Sequence, residues 1–531
     1  MIDDLRTKFN DEHTSQDGKV QILTLLPKSW SIATIAEIFG ASKHMVILAK
    51  SLKNKKGILS KPGLKIVLPL SNEIKSAVLD FYIDDETSVN LPGMNDVVSV
   101  RNDHGKRVHL QKRLILSNLK ELYKFFKKRY PDYKIGFSKF ATLRPQQCVL
   151  VRSSGTHTIY VCSVHQNVKL MMIGSNLPIL TKDLLAPLRQ YNDCIKMVIC
   201  EDPLFNCYFE RCDKCPGIKV LRSLLTDIFY NNDIDDITYK YWVTNPRTSL
   251  ETFTKTSTDF VDSFCDNIKN LLPHAFIAKE QSHFFRSLKE SLKSNEVIIV
   301  CDFAENYEFV VQNAAPGFHW NNNQATIYPI VIYFTKSNEL FHNSLVTISD
   351  YLQHVATSVH LFSKVAVNYI INKMFKGMSK IFYFSDGAPQ QFKNFKNFAN
   401  LSCHEEDFGL KAEWHFFATA HGKGAFDGIG GTVKRMAARA SLQLPLDRQI
   451  TNPKELYEWA TRPNNLKNIS IFFVPQIDYT EEKRKLEIRY RRAQSVKGTQ
   501  KFHCVIPIQR ETLQFKKFSR SDMSKVHKIF K

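Results

Sequence analysis

Three aspartates, Asp302, Asp386 and Asp427, stand where a strongly apolar stretch gives way to a polar, glycine-containing turn. The first lies in Val297-Ile-Ile-Val-Cys-Asp302-Phe-Ala-Glu-Asn-Tyr, the second in Lys380-Ile-Phe-Tyr-Phe-Ser-Asp386-Gly-Ala-Pro-Gln-Gln-Phe-Lys-Asn. The third follows the apolar run Trp414-His-Phe-Phe-Ala and opens an expected helix at Asp427-Gly. Carboxylates delivered to adjacent strand ends can hold two divalent cations, which clamp the attacking and leaving oxygens of a phosphoryl transfer. Mg2+ or Mn2+ suits such a site, because hard cations take oxygen ligands and keep several waters. A single aspartate after a strand is an ordinary turn former; the chemical reading rests on all three together.

A second group of residues points to zinc. Of 11 cysteines, seven fall between Cys148 and Cys215. The spacings are Cys148-x8-His157-x4-Cys162-x2-His165 and Cys200-x6-Cys207-x4-Cys212-x2-Cys215. Tetrahedral structural zinc takes four N or S ligands, and a two-residue gap lets one tight turn present two of them. The eight residues can fill two sites as two consecutive quartets. A crossed pairing, with Cys162 and His165 sharing an ion with Cys212 and Cys215, is equally open. The competing reading is buried, reduced cysteines acting as small hydrophobes. Cys194 is left unassigned.

The elements that must position these residues are legible in part. Near the N-terminus, helices are expected over Lys19–Pro27, Ser31–Gly40 and Lys43–Asn54. Ala36, Gly40 and Val46 fall where a helix-turn-helix needs a small residue, a turn glycine and an apolar lock. Lys43, His44, Lys50, Lys53, Lys55 and Lys56 would then face outward towards phosphates or base edges. The plainer alternative is a helical hairpin with a solvated, charged face. The formal net charge of +21, from 73 Lys and Arg against 52 Asp and Glu, implies an anionic partner. Nucleic acid comes first and an anionic membrane surface second. No apolar run reaches the roughly 18 residues of a membrane span, and no signal peptide is evident, so a soluble intracellular protein is expected.

Residues 63–145 read as mostly helical and basic, with a loop over 84–105. From residue 230 the pattern alternates strand and helix. Strands are expected at Val297–Asp302, Gln324–Phe334, Asn343–Ser349, up to Asp386, and at Lys411–Ala418; a long helix runs from an Asp350 cap to Phe375. The order is three strands, helix, strand, helix, strand, helix. Beyond it lie a helix at Asn452–Thr461, strands at Asn468–Pro475 and Phe502–Ile508, and a basic stretch, 483–492, suited to tracking DNA or directing nuclear import.

That order, with its acids, resembles the RNase H-like catalytic core of transposases and integrases carrying a DDE or DDD triad. The strings DFAENY, HWNNNQA, SDGAPQQFKN and HGKGAFDGIGGTVKR are similar to those of transposon-encoded or transposon-derived animal proteins, Mutator-like or of a related cut-and-paste superfamily. In that group a zinc-cysteine region precedes the core, as THTIYVCSVHQN and CYFERCDKCPG do here. The resemblance implies metal-dependent cleavage and transfer of double-stranded DNA at transposon ends, in the nucleus, by a homo-oligomer assembled on DNA. Asp302 and Asp386 map onto its first two acids. Asp427 is the preferred third, with Glu305, Glu455 and Glu458 as alternatives. His421, Lys423, Lys434 and Arg435 would grip phosphates. A catalytically silent, transposon-derived DNA-binding protein is the alternative outcome.

The expected architecture is therefore multidomain α+β. It comprises a helix-turn-helix region (1–62), a helical basic region (63–145), a Cys/His zinc-binding region (146–230), an α/β RNase H-like core with a mixed five-stranded sheet (231–445) and a basic C-terminal region (446–531).

Overall fold

The computed structural model describes residues 1–62, 70–84, 87–90, 97–101, 107–115, 119–150, 162–244, 248–311, 322–374, 377–419, 421–422 and 424–531. Several expectations fall wholly or partly outside them, among them His157, Lys423, much of the loop over 84–105, the first residues of the THTIYVCSVHQN and HWNNNQA strings and the end of the long helix at Phe375. The chain is mixed α+β and forms two compact units, Met1–Ala77 and Val78–Lys531.

The first unit contains α1 (Ile2–Asn10), α2 (Gln16–Thr24), α3 (Ile32–Phe39) and α4 (Lys43–Lys56). Ser15, Ser31 and Ser42 cap the last three, accepting from the N–H groups of Gly18, Thr34 and Met45. Gly40 ends α3 at φ 63°, a left-handed conformation that glycine adopts without strain. The chain then turns by 118° into α4. Val46 is buried and Ala36 packs against the same core, where Phe9 of α1 meets Phe39 edge-on at 5.6 Å. Helix α1 was not expected, because its single buried residue leaves no periodic stripe.

Two lysines assigned to the DNA-facing surface are placed differently. The ammonium of Lys50 donates to the Trp30 carbonyl and that of Lys53 to the Leu26 carbonyl, both half-buried. These carbonyls belong to the link between α2 and α3, and a long lysine stem reaches back to satisfy them. Lys43, His44, Lys55 and Lys56 remain exposed.

In the second unit, the region expected to be helical also holds β-structure. Strands Ser88–Asn90, Arg113–Ile115 and Cys148–Leu150 form a small sheet, and Val97–Arg101 pairs with Arg107–Gln111 as a hairpin. Buried Arg113 binds the Ser88 hydroxyl and carbonyl, both at 2.8 Å, so one charged side chain ties two short strands together.

The module carrying the cysteines packs helices Ser163–Gly174, Tyr191–Val198 and Ile218–Asn231 against a hairpin, Asp236–Thr244 with Thr248–Thr256. Sequence patterning assigned this hairpin to the core. It belongs here instead: the Asn167 amide bonds both backbone groups of Trp242, at 3.0 and 2.8 Å. Gly174 is required at the contact, since a Cβ there would lie 2.5 Å from Tyr239 Cβ. A long helix, Ser257–Glu290, runs from this module to the main sheet.

That sheet contains β1 (Glu296–Cys301), β2 (Gln324–Lys336), β3 (Glu339–Ser349), β4 (Lys380–Ser385), β5 (Lys411–Phe416), β6 (Ile469–Val474), β7 (Cys504–Gln509), β8 (Thr512–Lys516) and β9 (Ser524–Lys528). Their order is β6-β3-β2-β1-β4-β5-β7-β8-β9, and a short tenth strand, Tyr307–Glu308, also pairs with β2. The first five strands form the centre. β2 runs antiparallel to β1 and β3, whereas β4 is parallel to β1 and β5 to β4. The sheet is larger than expected, because β6 covers the β3 edge and β7–β9 continue from β5, leaving neither central edge unpaired.

Alternation places Val297, Ile299 and Cys301 in one core and Ile298 and Val300 in the other. Helices therefore cover both faces: Ala356–Tyr369, Phe395–Ser402 and Gln476–Arg492 on one, Ala425–Gln443 and Pro453–Ala460 on the other. The helix expected from Asp350 starts only at Ala356. Before it, Tyr351 stacks on Tyr479 at 3.5 Å and the His354 ring meets Asn306 Oδ1 at 2.8 Å, which holds that segment out of a helix. The basic stretch 483–492 lies in Gln476–Arg492, whose buried face of Tyr479, Glu482, Leu486 and Tyr490 packs on the sheet module. There Arg489 grips both oxygens of Asp407, at 2.8 and 2.6 Å. No single helix among the described residues is long and apolar enough to cross a membrane.

Candidate active site and metal-ligand clusters

Asp302 directly follows β1 and Asp386 directly follows β4. These strands are parallel neighbours with Val300 opposite Phe384, so the acids leave the sheet at one level, a strand spacing of about 4.8 Å apart. Carboxyl ends of parallel strands are where open α/β sheets bind ligands. Each acid has one oxygen oriented by a backbone N–H: Phe303 donates to Asp302 Oδ1 at 2.8 Å, and Ala388 to Asp386 Oδ1 at 3.0 Å.

Burial and then the charge of Asp386 push the Asp302 carboxyl up to about 8, with Asp427 adding to the effect. Burial raises Asp386 as well, opposed by the Ala388 N–H and the Lys393 ammonium. A pair of mutually repelling carboxylates at a strand edge is a place where a cation gains most.

Asp427 sits in the first turn of Ala425–Gln443 and accepts from the Gly424 N–H at 2.9 Å. Two glycines bring this segment close to the other acids. A Cβ on Gly422 would stand 3.3 Å from Asp386 Cβ, and one on Gly430 would stand 3.1 Å from Ala304 Cβ. The three carboxylates do not converge within the 4.8 Å that defines the Cys/His groups below. Two ions about 3.5–4 Å apart spread their ligands more widely than one ion does.

The alternative third acids differ in their surroundings. Glu455 accepts from the Thr451 N–H and hydroxyl at 2.8 and 2.9 Å, closing the start of its own helix. Glu458 and Glu305 are exposed, and the Glu305 charge acts on Lys434. Lys434 is half-buried; Arg435 is exposed and donates to Thr432 Oγ1 at 3.2 Å. His415 is packed, as its mid-strand position suggests, with Nδ1 2.8 Å from Ser519 Oγ.

Lys393 was not anticipated. It is only 4% exposed, its ammonium lies near Gly387 and reaches the Gln500 carbonyl at 3.3 Å, and burial lowers it to about 7. Nothing local distinguishes it from the other basic residues; only the fold of the loop after Asp386 brings it inward.

Cys200, Cys207, Cys212 and Cys215 come together with their sulfurs within 4.8 Å of one another. Cys200 Sγ lies 3.8 Å from Cys212 Sγ and 3.7 Å from Cys215 Sγ. A tetrahedron of thiolates with bonds of about 2.3 Å has edges of about 3.8 Å. The Cys212 thiol is held below its usual range, first by the Lys214 backbone N–H, which favours the thiolate that binds metal. These residues can hold a metal ion such as zinc.

The other expected quartet is rearranged. Cys148 is buried in the small sheet, with its thiol 3.5 Å from the Tyr82 carbonyl, and belongs to neither Cys/His group. Strand pairing with Arg113 holds it there. Cys162 and His165 do meet, but their companions are His274 and His421. His421, expected to grip phosphate, instead lies 3.2 Å from His274 Nε2. Burial lowers His165 to about 3 and His274 to about 4, keeping both imidazoles neutral. The chain separation among 165, 274 and 421 hides this group from spacing arguments.

Residues 281–519, 163–272 and 69–152 match three family models, described as domains of unknown function DUF8701, DUF8700 and DUF8699 respectively. No curated protein and no solved structure matches the chain.

Proposed function

We propose that this protein is a transposase-like enzyme that binds double-stranded DNA and catalyses metal-dependent strand cleavage and strand transfer. The observation carrying the proposal is the pairing of Asp302 with Asp386 at neighbouring parallel strand ends, with like charge and burial raising Asp302 to about 8. Asp427, delivered by the helix packed on Ala304, is the third acid. The observed order of β1, β2, β3, helix, β4, helix, β5, helix supports an RNase H-like reading of this core.

The carboxylates fit a hard cation: each is oriented by a backbone N–H, and their mutual repulsion calls for positive charge. Mg2+ or Mn2+ bound there would activate water or a DNA 3′-hydroxyl and stabilise the departing oxygen. Asp302, whose carboxyl is raised by the charges of both Asp386 and Asp427, would be the acid best suited to be shared between two ions. Lys393 holds the loop of Asp386 against Phe416 and Gln500, and Lys434 and Arg435 lie on the helix of Asp427, where they can meet phosphate.

DNA recognition falls to α3 and α4. Their 118° crossing over a turn containing Gly40 matches the roughly 90–120° of a helix-turn-helix. Exposed Lys43 and His44 open α4, the end that a recognition helix points at bases. The net charge of +21 supports a polyanionic partner; a nuclear location and assembly on DNA as an oligomer follow only from the resemblance to transposases.

The test is nicking of supercoiled DNA, with and without Mg2+ or Mn2+, by the wild type and by Asp302→Asn, Asp386→Asn and Asp427→Asn. Cation-dependent nicking lost in all three variants supports the proposal. DNA binding without nicking by the wild type would instead favour a silent, transposon-derived DNA-binding protein.

A further inference from the structure

We propose that Cys162, His165, His274 and His421 form a zinc site that fixes the loop carrying the third acid, making the catalytic centre dependent on a structural metal. The second half of this inference rests on the phosphoryl-transfer reading; the first half does not.

Geometry is the argument for the metal. His274 Nε2 lies 3.2 Å from both Cys162 Sγ and His421 Nε2. In tetrahedral zinc the corresponding edges are about 3.6 Å for N···S and about 3.3 Å for N···N. The three imidazole centroids are 5.0, 5.0 and 5.1 Å apart, an almost equilateral triangle. Three imidazoles bound to one zinc would place their centroids about 5.2 Å apart. Direct hydrogen bonding explains the group less well, because the buried His165 Nδ1 has no hydrogen-bond partner among the described residues. A single soft cation satisfies the thiolate and the rings together. One thiolate with three imidazoles favours zinc over magnesium or calcium, which take oxygen.

The ligands come from three separate parts of the fold. Cys162 and His165 stand at the start of Ser163–Gly174, and His274 lies within Ser257–Glu290, next to Pro273. That long helix is fastened to the sheet by buried Gln281, which donates to the Phe416 and His503 carbonyls at 2.8 and 3.0 Å and accepts from the Ser519 N–H at 2.8 Å. His421 belongs to the segment between β5 and Ala425–Gln443, where its N–H bonds the Ala418 carbonyl at 2.9 Å. The next residue, Gly422, is seated against Asp386, and Gly424 then orients Asp427. A metal at this point therefore pins the backbone that touches two of the three acids. His421 is a positioning residue in this scheme.

Zinc per chain, measured by elemental analysis on the purified full-length protein, tests the site. Two ions are expected in the wild type, one in each Cys/His group. One should remain in His421→Ala and one in Cys212→Ser, which disables the other group. His421→Cys, offering a thiolate in place of imidazole, should retain two ions and restore the nicking lost in His421→Ala. Full zinc content in His421→Ala, or none in a folded Cys212→Ser, would overturn the site. Failure of His421→Cys to nick despite full zinc loading would overturn the positioning role and assign His421 a direct one. Predicted zinc losses with a wild type that never nicks would leave the site standing and remove the coupling together with the nuclease reading.

Discussion

Asp302 and Asp386 each stand two residues beyond the paired positions Val300 and Phe384 of neighbouring parallel strands, so the fold itself forces two buried-edge carboxylates together. The cost is visible in Asp302, held up to about 8 by burial and by its neighbour. A carboxyl whose folded pKa exceeds its unfolded value adds stability below the unfolded value, and that stability is lost as pH rises through the folded one. Without divalent cations, thermal stability should fall between about pH 4 and pH 8 through this group. Added Mg2+ should restore it most at the upper end, where the carboxylate is ionised. Asp302→Asn should be more stable than the wild type at pH 8 without cation, and should not respond to Mg2+. A cation response equal to that of the wild type, in thermal melts across this range, would remove Asp302 from the site.

The lysines of α4 should separate into two kinds. Lys43→Ala and Lys55→Ala should weaken DNA binding and lower the slope of log affinity against log salt by about 1 each. Lys50→Ala and Lys53→Ala should act mainly on folding, because their ammoniums satisfy the Trp30 and Leu26 carbonyls. A loss of about 1 kcal/mol each is expected in chemical denaturation. Salt-dependent binding titrations paired with denaturation melts distinguish the two effects.

Close packing at two glycines should matter in different ways. Gly174→Ala would bring a Cβ to 2.8 Å from the Thr238 carbonyl and the Tyr239 Cα, and backbone cannot step aside cheaply. It should destabilise the cysteine module by about 3 kcal/mol. Gly430→Ala meets Ala304 Cβ at 3.1 Å, a milder conflict. It should cost about 1 kcal/mol yet reduce nicking disproportionately, because it pushes the helix of Asp427 away from the loop after Asp302. Equal losses of stability and activity would argue against that geometric role.

Chelation offers a test of the four-cysteine group. Its sulfurs, 3.7–3.8 Å apart around Cys200, are spaced for a thiolate tetrahedron and too far apart for disulfides of about 2.05 Å. A strong zinc chelator, or Cys215→Ser, should increase amide exchange in residues 191–231 and lower the melting temperature. Unchanged exchange there would show that the cysteines need no metal.

The sequence was most legible where its signals are local. Apolar runs located β1 to β5, the four-cysteine spacing named a group that the fold does gather, and Gly40 marked the sharp turn between α3 and α4. Ser337 and Asn338, polar residues both at positive φ, close the β2–β3 hairpin. Signals failed where partners are remote. His274 and His421 are isolated in the chain, Lys393 turns inward only because its loop folds over Gly387, β8 is only five residues long, and β9 is a short, mostly exposed edge strand. Cys148 misled because a cysteine near a ligand run looks the same whether it binds metal or pairs in a strand.

The most direct measurement is anomalous diffraction from crystals soaked in Mn2+. The account predicts a peak bridging Asp302 and Asp386, with Mn–O distances of about 2.1–2.2 Å and a second peak about 3.5–4 Å away towards Asp427. Occupied manganese sites elsewhere, with nothing between Asp302 and Asp386, would contradict it.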